Sequence, residues 1–469
     1  MIGGTTLAFR GRTRSNTNFA LLSVEGTTVK DHCSRPLLVT ATLIAFGAGA
    51  AAQGDKPAAA APAPAPQKSV EERLAELEKK TGGDTMRTFW KDGLRFESGD
   101  KKYKFKIGGR IHYDGQFFDP DDETKAAVET GTNRIEDGTE MRRARIELSG
   151  EVADHTEWAL GMDFGSGTTN FRNVYAGVKD LPFGNIRGGQ FKEPFGLEQV
   201  SSSNYEVFTE RSLMNALVPA FNAGVMVYDD YAKERGTWSV GVFRTGTDTG
   251  EVSKGDGEYA VTGRITGLPY YSDDGRKYVH LGVGYSRRSP TNDSQTFSSK
   301  PEANLAPTYI SATVAAETVD LMGAEASLVL GPFALTGEIT QASLDADAGA
   351  TSSPDFLGYY VQASWFITGE SRGYRKAQGV FDNLKPNENA FNDKGGFGAV
   401  EVAARMSSLD LTDDGTDGGK LDDLTFGVNW YLNQNTRLML DYIIADLDPA
   451  GGGADGTTDI LAFRWQFAF

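Results

Sequence analysis

The chain has almost no cysteine. Cys33 is the only one in 469 residues, so an internal disulfide is excluded, and so is a multi-cysteine zinc site. Histidine is scarce too: His32, His112, His155 and His280 are the four, and their spacing fits neither a metal site nor an activated nucleophile. His112 and His280 read as wall residues rather than ligands. No GxSxG, HExxH or phosphate-cradling glycine loop occurs, so the sequence reads as a non-enzyme without a cofactor. Asp413, Asp414 and Asp417 share a glycine-rich stretch but lack EF-hand spacing. Positive charge is in deficit: 47 Lys and Arg stand against 64 Asp and Glu, a net −17, which argues against a general nucleic-acid binder. Long apolar runs are missing as well. Beyond residues 36–52, no stretch is apolar for long enough to cross a bilayer as a helix.

What is present begins with that one run. Arg35 precedes PLLVTATLIAFGAGAAA (36–52), which ends in small residues with Ala50 and Ala52 placed for cleavage before Gln53. Residues 1–52 therefore read as a secretory signal or processing segment, with 1–28 an upstream extension if translation starts near Val29. Residues 53–67 form a Pro/Ala linker. Residues 68–82 follow as a short coiled-coil helix, with Val70, Leu74 and Leu77 at i, i+4 and i+7.

From residue 94 to 469 the pattern is β. In KKYKFKIGGRIHYDGQFFD (101–119) Tyr103, Phe105, Ile107, Ile111, Tyr113 and Phe117 share one face, while Lys102, Lys104, Lys106, Arg110, His112, Asp114 and Gln116 share the other. MRRARIELSGEVA, YVHLGVGYS and LTFGVNWYLNQNTRLMLDYI repeat this alternation, and DILAFRWQFAF (459–469) carries it to Phe469. Such strands are long for a soluble sheet. Tight turns (DLPFGN, GPF, NQN) alternate with long acidic connections such as 119–140 and 410–423. An exported chain with these features is expected to be all-β: a transmembrane antiparallel up-and-down barrel of about 16 strands, its apolar stripes covered by outer-membrane lipid and its last strand closing on its first.

The opposite faces then line a lumen. Alternation assigns Lys102, Lys104, Lys106, Arg110, Arg143, Arg145, Arg187, Arg264, Arg405, Arg437 and Arg464 to it, with Glu147, Asp163, Glu325, Glu338, Glu401 and Asp441 as acidic wall residues. The wall leans basic while the chain as a whole is acidic. Two readings follow: a basic ladder that draws anions, or ion pairs that hold the wall together.

GGQFKEPFGLE (188–198), SSSNYEVFTERS (201–212), GESRGYRKAQGVFDNLKP (369–386) and LTFGVNWYLNQNTRLMLDYI (424–443), in that order, resemble the phosphate-selective porin O and P family. The resemblance implies a homotrimer of barrels whose third long loop folds into the pore, and passage of anions along arginines to a lysine-rich constriction. Here that loop corresponds to Leu197–Pro219, flanked by Lys192 and Arg211 as constriction candidates, with Lys102, Lys104 and Lys106 facing them. The terminal aromatic stripe ending on Phe469 resembles the address read by the outer-membrane assembly machinery. The reading is thus a bacterial outer-membrane porin giving passive, anion-preferring diffusion of phosphate or similar small anions. A weakly selective general porin, or an envelope tether anchored by the barrel, is the alternative.

Overall fold

The computed structural model describes residues 69–73, 76, 85–246, 250, 258–346 and 352–469. The stretches expected to be a signal segment and a Pro/Ala linker, and the expected coiled-coil positions Leu74 and Leu77, lie outside the described residues. Residues 70–73 are helical, and Ser69 and Glu72 cap that turn reciprocally: the Glu72 N–H donates to Ser69 Oγ and the Ser69 N–H to Glu72 Oε2.

Sixteen antiparallel strands of the described residues form one closed sheet. They are β1 (Lys104–Pro120), β2 (Gly138–Val152), β3 (Thr156–Asp163), β4 (Asn170–Leu181), β5 (Gly184–Lys192), β6 (Phe221–Tyr231), β7 (Gly236–Arg244) and β8 (Tyr259–Tyr271). The second half holds β9 (Lys277–Arg288), β10 (Ile310–Leu330), β11 (Phe333–Ala346), β12 (Asp355–Phe366), β13 (Ala399–Asp413), β14 (Thr416–Tyr431), β15 (Thr436–Asp448) and β16 (Gly456–Ala468). Each pairs with its neighbours in sequence, and β16 returns to β1 from Thr458↔Pro120 to Ala468↔Arg110. Phe469 completes the seam by exchanging backbone hydrogen bonds with Gly109 at 2.8 and 3.0 Å. Beyond it, β1 takes another partner: the hairpin Met86–Trp90/Leu94–Ser98 pairs with Lys104–Ile107, and Trp90 stacks on Phe469. The ring thus begins at Lys104 rather than at residue 94.

The alternation read from the sequence sorts the two faces as expected. Ile111, Phe117, Leu281, Val283, Phe426, Val428, Leu440 and Trp465 point outward, while Arg110, His112, Asp114, His280, Arg405, Asp441 and Arg464 are buried on the inward face. Three expectations change. Residues 410–423 are not a loop: β13 and β14 run through them to a tight turn between Asp413 and Thr416. Tight turns do crowd one end of the barrel, as at Leu181 to Gly184 and Leu330 to Phe333, yet the connection from Phe366 to Ala399 leaves from that same end and is long. Finally, the inward face is not uniformly polar. Leu409, Leu411, Leu421, Ile443, Leu447 and Ile460 point in and pack in one apolar cluster with Leu213, Met214 and Leu217 of the β5–β6 loop. Each such fully buried side chain contributes roughly 1.5–3 kcal/mol.

The seam leaves no room for a side chain at Gly109. A Cβ there would lie 2.5 Å from the Arg145 carbonyl oxygen and 3.0 Å from the Phe469 ring. Gly109→Val is expected to destabilise the closed barrel by about 1–3 kcal/mol, as overpacking does. The readout is the heat-modifiable gel shift of the folded barrel, whose midpoint temperature should fall; an unchanged midpoint would mean the seam does not limit stability.

Candidate functional site: the lumen and its two inward loops

Gly196 turns the chain into the barrel. It adopts a left-handed φ of 70°, and a Cβ there would meet Glu338 Oε2 at 3.1 Å, which accounts for the glycine in KEPFGLE. The next two backbone N–H groups, of Leu197 and Glu198, both donate to the Glu338 carboxylate at 2.7 Å, and Tyr360 Oη donates to it at 2.7 Å. A four-residue helix, Leu197–Val200, follows. Farther on, Thr209 N–H donates to Asp441 at 2.7 Å. The wall's carboxylates therefore hold the loop by its N–H groups.

The wall's cations hold it by its carbonyls and acids. Arg405 donates to the Glu210 carbonyl and pairs with Glu198 and Glu302. Arg437 donates to the Glu206 carbonyl at 2.7 Å. Arg464 binds Asp114 at 2.6 Å, Glu210 at 2.9 Å and the Thr209 carbonyl. Arg143 lies 3.9 Å from Glu210, beside His112. Lys192 Nζ donates to the carbonyls of Gln199 and Ser201 at 2.5 and 2.7 Å, and Arg211 pairs with Glu206. Burial alone would raise the Glu210 carboxyl, but Arg142, Arg143 and Arg464 outweigh it and hold it well below the usual carboxylate range. For Glu198 burial outweighs Arg405, and its carboxyl is pushed up.

A second loop enters from the opposite end. Within residues 367–398, Arg372 is buried against Glu401 and donates to the Tyr205 carbonyl at 3.1 Å. The small hairpin Tyr374–Arg375/Val380–Phe381 meets the first loop where Phe381 N–H donates to Ser201 Oγ at 3.2 Å. Tyr374 Oη lies 2.6 Å from His280 Nδ1, and Arg264 donates to the Gly379 carbonyl at 2.9 Å.

The two loops leave a chamber of about 330 Å³ against β1, β2 and β4 to β8. Its basic lining residues are Arg110, Arg145, Arg187, Lys192, Arg264 and Arg375; its acidic ones are Glu147 and Asp229. The guanidiniums carry partners: Arg110 with Glu147 at 2.9 Å, Arg145 with Asp163 at 2.7 Å, Arg187 with Glu157 at 3.1 Å, Arg264 with Glu325 at 2.5 Å and Arg375 with Asp382 at 2.5 Å. Of the six, Lys192 alone has no carboxylate partner among the described residues; its contacts are carbonyls. The Nε atoms of Arg110 and Arg187 have no hydrogen-bond partner among the described residues. A larger hollow, about 810 Å³, lies on the outward face between Ile265, Leu281, Val283, Ile339 and Val361, where lipid would sit.

The structure thus separates the basic residues expected to line one pore. Arg110, Arg145, Arg187, Lys192 and Arg264 border the chamber. Arg143, Arg405, Arg437 and Arg464 are buried beneath the loop instead, because the loop supplies their acceptors. Arg211 belongs to the loop's own ion pairs. Lys102 and Lys104 stand exposed at the start of β1, Lys104 paired with Glu151 at 2.7 Å, and do not face Lys192 or Arg211; Lys106, half-buried, is also outside the chamber lining. Two residues escaped the alternation argument. Arg142, on the outward parity, is turned in by a bulge opposite His112 and Tyr113 and grips Glu210 with two hydrogen bonds at 2.7 and 3.0 Å. Arg375 sits in a loop, where alternation says nothing, although its motif was among those that carried the resemblance.

Glu338→Ala is expected to leave two buried loop N–H groups without an acceptor, at about 1–3 kcal/mol each. The loop should detach from β11, giving larger and noisier single-channel currents than the wild type, with Glu338→Gln in between. Unchanged conductance would show that Glu338 does not hold the constriction.

Among the described residues, no helix is long and apolar enough to cross a membrane, and no three metal-ligating side chains gather. Porin O of Pseudomonas aeruginosa is 26% identical to this chain over 423 residues, 81% of this chain and 91% of that protein. Among solved structures, the outer membrane channel DcaP of Acinetobacter baumannii aligns with a TM-score of 0.50 at 12% identity, covering 80% of this chain and 99% of that one. The anion-selective porin from Comamonas acidovorans aligns with a TM-score of 0.50 at 13% identity, covering 78% and 100%. These structural likenesses show the fold. The profile of the phosphate-selective porin O and P family matches residues 105–469, the whole of the ring from the start of β1 to Phe469, and the chain belongs to that family.

Proposed function

We propose that this barrel is a passive outer-membrane porin for small anions, phosphate-like oxyanions among them. The observation that carries the reading is the sign of the chamber: six basic charged residues line it against two acidic ones, in a chain whose net charge is −17. A conducting site must bind strongly enough to admit an ion and weakly enough to release it. Lys192 supplies the least compensated charge. The carboxylates paired with the chamber's guanidiniums temper the attraction, which favours a modestly selective pore over a tight phosphate trap. The name of the chain's own family and that of the Comamonas porin point the same way. Barrel and family favour a channel over an enzyme.

The finer organisation is part of the proposal. Residues 1–52 would direct export, the outward apolar face would meet outer-membrane lipid, and the aromatic stripe ending on Phe469 would be the address for the assembly machinery. Three copies would associate as a homotrimer.

Planar-bilayer reversal potentials across a KCl gradient test the reading. Anion preference is expected, together with a conductance that responds to added phosphate. Lys192→Met should lower the chloride-to-potassium permeability ratio about sevenfold, because a unit charge about 7 Å from a passing ion in water-like dielectric is worth about 0.6 kcal/mol of attraction for chloride and as much repulsion for potassium. Cation selectivity of the wild type would overturn the proposal.

A further inference from the structure

The chamber is richer in aromatic rings than a path for bare inorganic ions requires. Tyr175, Tyr205 and Tyr228 line it half-buried, beside Phe221 and Phe381. Each ring face turned to a wet lumen is apolar area left in water, a cost that burial against another group would remove. The rings also stand next to the charges. The Arg187 guanidinium carbon lies 4.5 Å from the Tyr175 ring centre and 4.2 Å from that of Tyr228, and Lys192 Nζ lies 5.7 Å from the Phe221 ring centre. Arg187 thus covers a face of each of these two tyrosines and Lys192 one of Phe221, whereas the Tyr205 ring carries no such cation among the described residues. The volume, about 330 Å³, falls within the roughly 300–1,000 Å³ of pockets for small organic molecules, which share this mixture of aromatic lining and a few charged groups. An inorganic oxyanion would engage the cations and leave the Tyr205 ring without a partner in the chamber.

We infer that the chamber is a transit site for small aromatic carboxylates, whose carboxylate meets Lys192 and Arg187 while the ring lies against Tyr205. This inference rests on the anion-channel reading and adds a substrate class to it. Tyr205 is the most informative position. It comes from the β5–β6 loop, and Arg372 holds it through its backbone carbonyl rather than its side chain.

The test is block of single-channel chloride current in the wild-type protein by benzoate, acetate and inorganic phosphate. Benzoate is expected to block at about tenfold lower concentration than acetate, the increment of one well-placed ring contact. Tyr205→Leu should bring benzoate block to within about threefold of acetate block and leave acetate block unchanged. Equal block by benzoate and acetate in the wild type would overturn the aromatic assignment while leaving an anion pore standing. A pore that prefers cations would instead overturn the anion reading itself. The ligand series on the wild type decides the matter even if the variant fails to fold.

Discussion

Backbone pairing in lipid is the constraint on which everything else here depends. An N–H or C=O facing hydrocarbon without a partner costs several kcal/mol, so a spanning sheet must have no edge. β16 meets that demand by pairing with β1 through Thr458↔Pro120 to Ala468↔Arg110, and Phe469 extends the ladder to Gly109. The residues of β1 beyond the reach of that strand take the Leu94–Ser98 strand instead, so the ladder passes to a second partner without a gap. With the ring closed and its outward positions given to apolar side chains, charged residues such as Arg110, Arg264, Arg405, Asp441 and Arg464 are placed on the inward face.

That concentration of charge inside a closed wall has its own consequence. A buried charge is stable only with a partner, and losing one partner of a buried pair costs roughly 3–5 kcal/mol. Two solutions coexist in this lumen. Around β13, β15 and β16, Arg405, Arg437 and Arg464 are satisfied by the β5–β6 loop through Glu198, Glu210 and backbone carbonyls, and above them the inward face turns apolar and packs on the same loop. Around β1, β2, β5 and β8, the guanidiniums are satisfied by carboxylates within or near the wall, and their other sides border the chamber. The anion-attracting ladder and the structural ion pair, two competing readings of the same arginines, thus both occur in this molecule in different sectors of one wall.

The second loop makes the path two-sided. The hairpin at Tyr374–Phe381 rises from the tight-turn end and meets the first loop at Ser201, so the chamber is bounded by segments anchored at opposite ends of the barrel. Polar anchors run from His280 to Tyr374, Arg264 to Gly379 and Glu401 to Arg372, and apolar ones from Tyr278 to Tyr374 and from Phe366, Ala399 and Tyr431 to Leu384.

The sequence pattern by itself determined the barrel, its inward and outward faces and the closing seam, while the entry of a loop after KEPFG came from the resemblance to the porin family. Period-two alternation is a local property, and the bilayer admits few other folds for a chain that shows it. Local alternation also delivered the inward arginines, but it could not separate Arg187 from Arg405. Both follow the same pattern, and they differ only in what covers them, a contact made by residues distant in sequence. Arg142 needed a bulge to be turned inward, and the 410–423 stretch looked like loop because acidic residues on strand ends facing water resemble loop residues. Only the tertiary structure decided which charges hold the loops and which border the chamber, because burial and pairing are set by segments that meet across the lumen rather than along the chain.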